Sequence, residues 1–505
     1  MNATPTTAPT AAPPGPVPAP LLRELGRTEG GPRALGLLVR DQHARRLVRL
    51  RAVLDAAAAA PPGRCPPAAR DRLLADWALL EAAERADRDA VRAVLLHPMT
   101  GPWAQRCLYG LTADGPGTGG DLAADLAHFG AVAAAAAVRA RFPFTARLTA
   151  HGGLLALPTL GALHTCPGTR VDLGLDTEGV LTLRQGPATP PAVVTTAAGP
   201  TGAASAARGD DPRWLPLGSL PALLPGAAPV LLDDLDPYRT AGSGLERHGL
   251  GAVTRLDPAS RAAWAASWAG TEAVLRAGGA HRVQEATLLL RCLVPLAPPP
   301  GRGPAGESAS HCSGTRREAF GAVLSSLPST SAYLAATLVH ELQHTKLAAL
   351  SALVRLHEAG PAEAYFAPWR TDPRPFDGLL QGAYSHLALA DYWQRYALAA
   401  PGTTARDLAW AEHARCAEQV AAVLPVLAGS GALTPQGRLL VDEMTATHER
   451  LAADPPPPGH AARARAYVDT ARTLWRQRHR TAALATPGAG GGPAPLGRGG
   501  GRPDA

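Results

Sequence analysis

The chain is 505 residues long, 46% hydrophobic and 18% charged, with a formal net charge of +7. It has apolar surface for a large core, which excludes a wholly disordered chain, and its length predicts about two to four domains or one elaborate one. The basic charge is spread along the chain as arginine, Lys346 being the sole lysine; without a basic block interleaved with aromatics, nucleic-acid binding is not expected.

Residues 1–20, rich in Pro, Ala and Thr, read as a disordered tail. They lack the basic and apolar regions of a signal peptide, and no run of about 18 apolar residues follows anywhere, so no membrane span and a cytoplasmic location are expected. Six scattered cysteines without a C-x-x-C pair argue against a zinc ribbon, a thioredoxin-like site or an iron–sulfur loop. Residues 21–141 form an N-terminal helical region with helices over 32–59, about 67–96 and about 121–141. Arg45, Arg46, Arg49 and Arg51 flank the apolar stripe of the first helix and read as a solvated basic face rather than an anion site.

Residues 142–300 are a mixed α/β region. Short alternating runs from Phe144, Gly153, Val171 and Val180 predict a small antiparallel β unit. Residues 187–213 read as a loop or linker, 230–232 as a strand, 257–277 as a helix carrying Trp264 and Trp268, and 283–297 as a strand. Asp233, Asp234 and Asp236 read as a polar turn, since the glycine and glutamate of a calcium loop are missing.

Residues 301–400 carry the chemistry. The run from Phe320 to Ser326 is either an ordinary buried strand or one that offers backbone groups to an extended peptide. A helix over 331–358 follows, started at Thr330-Ser331 and stopped before Gly360-Pro361. At its centre stand His340-Glu341-Leu342-Gln343-His344, an H-E-x-x-H motif. Residues four apart share a helix face, so both imidazoles can meet one cation with bonds of about 2.1 Å. Glu341 can serve as base, supporting partner or ligand. Leu347 and Leu350 stand where a metzincin needs Gly and His, excluding that class. Glu363, separated from His344 by 18 residues, would complete a gluzincin-type zinc peptidase.

A further helix over 376–399 places Gly378, Gly382 and His386 at intervals of four, predicting close approach of a neighbouring helix and a third ligand in His386. Arg370 and Arg374 stand before it. They suit the carboxylates of an anionic co-substrate such as 2-oxoglutarate, or else pair with Asp372, Asp377 or Glu363 to shape the loop. Residues 401–484 form a C-terminal helical region with helices over about 404–427, 434–452 and 460–484, in which His413 reads as a packed or surface histidine; residues 485–505 read as a second disordered tail. The expected fold class is α+β, mostly helical, with a metal site between two helices.

The stretches LVHELQHTKL and YFAPWRTDPRPFDGLLQGAYSHLALADYW resemble the HExxH-motif proteins found beside ribosomally made peptide precursors, described as 2-oxoglutarate-dependent peptide β-hydroxylases. The resemblance covers about residues 310–400 and is fainter at 142–160 and in LTPQGRLLVDEM. It implies Fe(II) held by His340, His344 and His386, 2-oxoglutarate bound by Arg370 or Arg374, dioxygen as co-substrate and a precursor peptide hydroxylated at a β-carbon. Glu341 and Gln343 would orient the site. Non-haem oxygenases more often use two histidines and a carboxylate, which keeps Glu341, Asp377 and Asp391 open as ligands. The other readings are a zinc peptidase with Glu341 as base and Glu363 as ligand, and a metal-free peptide-binding scaffold.

Overall fold

The computed structural model describes residues 17–113, 119–196, 207–239, 250–299, 311–361, 364–400 and 402–485. Prolines and capping side chains set many of the helix ends. α1 (Ala19–Gly26) carries Pro20 in its first turn and α2 (Pro32–Ala59) starts on a proline, whose missing N–H is harmless there. α3 (Pro67–Ala86) and α4 (Arg88–Leu95) replace the one helix expected over this stretch: Asp87 adopts extended backbone and its carboxylate caps α4 at Ala90 N. α5 (Thr100–Thr112), with Gly101-Pro102 in its first turn, was not expected, and α6 (Gly119–Arg139) follows.

The antiparallel part is larger than predicted. β1 (Phe144–Thr149), β2 (Leu154–Leu157), β3 (Gly161–His164), β4 (Arg170–Leu175), β5 (Val180–Arg184), β6 (Ala192–Thr196), β7 (Ala207–Arg208) and β8 (Trp214–Pro216) form two sheets, ordered β1-β4-β5-β6-β7 and β2-β3-β8. The stretch 187–213 is therefore not simply a linker. Leu181 and Leu183 pair with Val194 and Ala192, and this cross-strand packing, invisible to local composition, makes β6 a strand.

The remaining strands, β9 (Gly218–Leu220), β10 (Val230–Leu232), β11 (Cys292–Leu296), β12 (Ser313–Gly314) and β13 (Ala322–Ser326), form a mixed sheet ordered β12-β13-β11-β10-β9 with β10, β11 and β13 parallel. β13 is paired on both sides, so it is an ordinary buried strand, and β12 is the edge nearest the helix that carries His340 and His344. Two helices over 257–277 replace the expected one, α7 (Pro258–Ala269) and α8 (Thr271–Ala277), parted at Gly270. The strand expected over 283–297 divides into α9 (Ala280–Leu289) and β11; Val283, Ala286 and Leu289 are buried at helical spacing.

Next come α10 (Ser331–Leu353) and α11 (Phe376–Ala399), then α12 (Thr403–Ala421), α13 (Leu424–Ala428), α14 (Pro435–Leu451) and α15 (Pro458–Ala485). The fold is α+β and mostly helical. Two large cores form. Leu50, Val53 and Ala57 of α2 join α3 to α6 and the first sheet, whereas Ala34, Leu35 and Leu38 of the same helix join α10, α11 and the C-terminal helices. Within α6, Leu122–Arg139 is long and apolar enough to cross a membrane, yet 72% of it is buried in the first of these cores.

A buried ion network ties the turn between α1 and α2 to the second core. Lys346 Nζ donates to Glu285 Oε1 (2.6 Å) and to the carbonyls of Thr28 and Glu29. Arg282 bonds Glu285 (3.1 Å), Asp391 (3.1 Å) and the Thr28 carbonyl (2.7 Å). Every charge in it has an opposite partner, the condition under which buried ions are tolerated.

Candidate metal centre

Thr330 caps α10 by accepting from Tyr333 N, and a run without Gly or Pro carries the helix past both histidines. It ends at Leu353, five residues earlier than Glu358, because the chain turns away there to bond Glu358 N to Ala432 O and bridge His357 with Leu433. α11 packs against α10 and brings His386 alongside.

His340 Nε2 and His344 Nε2 face each other at 3.1 Å. The rings are nearly perpendicular, with centroids 4.7 Å apart. His344 Nδ1 lies 3.2 Å from Gln381 Oε1, an acceptor, so Nδ1 donates there and Nε2 turns its lone pair toward His340. His386 Nδ1 donates to Gly382 O at 2.8 Å and is left in the same tautomer. Burial, with His344 and His386 beside it, holds His340 well below the usual imidazole range; burial also lowers His386 to about 3. Neutral imidazoles with exposed lone pairs are the state a metal requires.

His386 stands one ring further out, its centroid 5.2 Å from that of His340. Among the described residues, the group of three ligating side chains drawn within 4.8 Å of one another lies elsewhere, at His97, Asp233 and Cys292. His97 Nδ1 accepts from Met99 N, which places its proton on Nε2, 3.4 Å from Asp233 Oδ2. That tautomer offers no lone pair toward the other two side chains.

The α10 histidines open into a cavity of about 1010 Å³. Glu341 lines it, accepting from Ser313 Oγ at 2.7 Å; burial raises its pKa against the pull of His344 and of the Ser313 and Thr315 hydroxyls. Gln343 departs from expectation. It turns away from the cavity to donate to Glu285 in the ion network, since it lies on the opposite face of α10. Asp391 is likewise engaged by Arg282 and Arg395, so it is not a ligand in this arrangement. Asp377 lines the cavity but pairs with Arg317. Glu363 lies outside the described residues.

Arg370 and Arg374 both line the cavity and both bond Asp372, at 2.9 and 3.4 Å. The glycine stripe of α11 admits this loop rather than a helix. A Cβ on Gly378 would meet the Arg374 guanidinium, and one on Gly382 would lie 2.3 Å from the Trp369 ring. Trp369 in turn stacks on His386, centroids 4.5 Å apart and planes at 18°.

One wall departs from the sequence reading, which took Arg45 and Arg49 for a solvated basic face. Gln42, Arg45 and Arg49, three and four residues apart, present one face of α2 to the cavity, and Gln105 of α5 joins them. Their periodicity was legible, but not that the histidines, some 290 residues later, would line the same cavity. A scan against protein-family models finds no match, and a search of the curated proteins finds none.

Proposed function

We propose that the chain is an Fe(II)/2-oxoglutarate-dependent hydroxylase acting in the cytoplasm on the β-carbon of a residue in a ribosomally made precursor peptide. The observation that carries this reading is the pair of Nε2 atoms 3.1 Å apart, opening on an arginine-lined cavity large enough for both an acid and a peptide segment. The donors fit a divalent metal: imidazoles close enough to share one ion, one oriented by Gln381 and a second by Gly382. His340 and His344 would hold the ion and His386 would complete the set. Fe(II) there would supply oxidation of a peptide C–H bond by dioxygen, coupled to decarboxylation of 2-oxoglutarate.

The protein's own contribution is placement and water exclusion. Trp369 covers one face of His386 and keeps its Nδ1–H on the Gly382 carbonyl. Glu341, held by Ser313, sits beside the histidines as a group able to accept or return a proton. The same carboxyl supports the second reading, a zinc peptidase with Glu341 as general base. The short edge strand β12, next to α10, suits an extended peptide under either reading.

Anaerobic titration of apo-protein with Fe(II) and then 2-oxoglutarate tests the proposal. A visible charge-transfer band that is absent in His340→Ala and His344→Ala is the expected result. No band, with one equivalent of zinc bound tightly, overturns it in favour of the peptidase. Metal content of His386→Ala against Glu363→Ala then identifies the third ligand.

A further inference from the structure

Three guanidinium groups that line the cavity are already engaged. Arg370 and Arg374 share Asp372, and Arg317 pairs with Asp377. Arg316 bonds Glu318 at 2.7 Å and Arg45 bonds Asp41 at 2.7 Å. Arg49 differs. It lines the same cavity, is half-buried, and makes no hydrogen bond or ion pair with any of the described residues. Burial and the neighbouring Arg45 lower its pKa, and the nearest acidic influence, Glu318, is committed to Arg316. A guanidinium partly removed from water without a partner is costly to hold, and an anion arriving in the cavity would relieve that cost.

We infer that Arg49 is the carboxylate anchor of the cavity, binding from α2 the far carboxylate of a ligand whose other end reaches His340 and His344. Gln42 and Arg45 flank it on the same helix face and Gln105 approaches from α5, so the anchor sits on rigid helices rather than on the loop that carries Arg370 and Arg374. The planar fork of Arg matches a carboxylate in bidentate fashion, which a lysine cannot do. The identity of the ligand as a 2-oxo acid rests on the function proposed above; the carboxylate does not, since an acidic side chain of a peptide would meet the same group.

The experiment uses the full chain loaded anaerobically with Fe(II) and compares 2-oxoglutarate with 2-oxopentanoate, which has the same length but no far carboxylate. Wild-type protein is expected to prefer 2-oxoglutarate by roughly ten- to hundredfold. Arg49→Leu should erase the preference by weakening 2-oxoglutarate alone, Arg49→Lys should keep part of it, and Arg370→Leu and Arg374→Leu should keep all of it. No preference in the wild type, or one that survives Arg49→Leu, overturns the assignment. Unchanged 2-oxopentanoate binding in each variant shows that the fold and metal are intact. Should neither 2-oxo acid bind, the hydroxylase reading has failed by itself, and hexaglutamate is compared with hexaglutamine by tryptophan fluorescence. A glutamate preference lost in Arg49→Leu then supports the anchor with a peptide as its source; equal binding, or no binding, overturns it.

Discussion

Gly382 has no side chain because the indole of Trp369 fills the space where one would be, 2.3 Å from the position of a Cβ. Gly382→Ala must therefore push Trp369 off His386. It is expected to cost about 1–3 kcal/mol in chemical denaturation and to weaken metal binding as the imidazole loses its stacked neighbour. An unchanged metal affinity would show that Trp369 is only packing. Glu285 matters in a different way. Its carboxylate neutralises both Lys346 and Arg282, and Gln343 of the motif helix donates to it as well. Glu285→Ala strands the buried Lys346 and leaves Arg282 with Asp391 alone, and it should destabilise the protein by about 3–5 kcal/mol, read from the urea midpoint.

At the level of elements, the cavity wall depends on how α5 meets the turn at Arg317–Ala319. A Cβ on Gly101 would lie 1.8 Å from the Glu318 carbonyl, so helix and turn touch through bare backbone. Gly101→Ala should lever α5 away from the turn, costing about 1–3 kcal/mol and loosening the wall that carries Arg316 and Gln105; the check is a lower melting temperature together with weaker 2-oxoglutarate binding. Sequence reasoning had no access to this contact, because it joins residues more than 200 positions apart. It read α2 and α11 to their last residue, since Pro32 and the Pro61-Pro62 pair bound the one, and Pro375 and Pro401-Gly402 the other. It failed where partners decide: β6 needs β5 beside it, and α9 hides in a run whose Leu and Val content reads equally as strand. The histidine pair was legible because one helix positions both. Arg49 and the engagement of Asp391 and Gln343 were not, because three-dimensional neighbours set them, whereas the pairing of Arg370 and Arg374 with Asp372 was one of the two readings open at the sequence level.

For the molecule as a whole, α2 is the shared member of the two large cores, so neither can lose it and stay packed. Unfolding should follow a single transition by circular dichroism and by tryptophan fluorescence, Trp103 reporting on one core and Trp264 and Trp393 on the other. Two separated transitions would show that α2 can split between them. Acid should weaken this whole. Burial lowers the imidazoles of His43, His97 and His281 to about 4 and that of His128 to about 3, from an ordinary 6.5. Groups with depressed folded-state pKa values give stability that is present above 6.5 and lost as the pH falls. Asp76 and Asp236, raised to about 6 and about 8, act in the opposite sense, and the four imidazoles outnumber them. The net loss between pH 6.5 and pH 5 should be on the order of 1–3 kcal/mol, seen as a lower urea midpoint.

The solitary lysine of the buried network has a consequence for covalent chemistry. Lys346 is the only side-chain amine in the chain, and its ammonium is 1% exposed. Amine-directed esters and cross-linkers should therefore leave the side chains of the folded protein untouched and acylate Lys346 only when the second core opens. Mass spectrometry of a single tryptic region would then count opening events directly, without an engineered label.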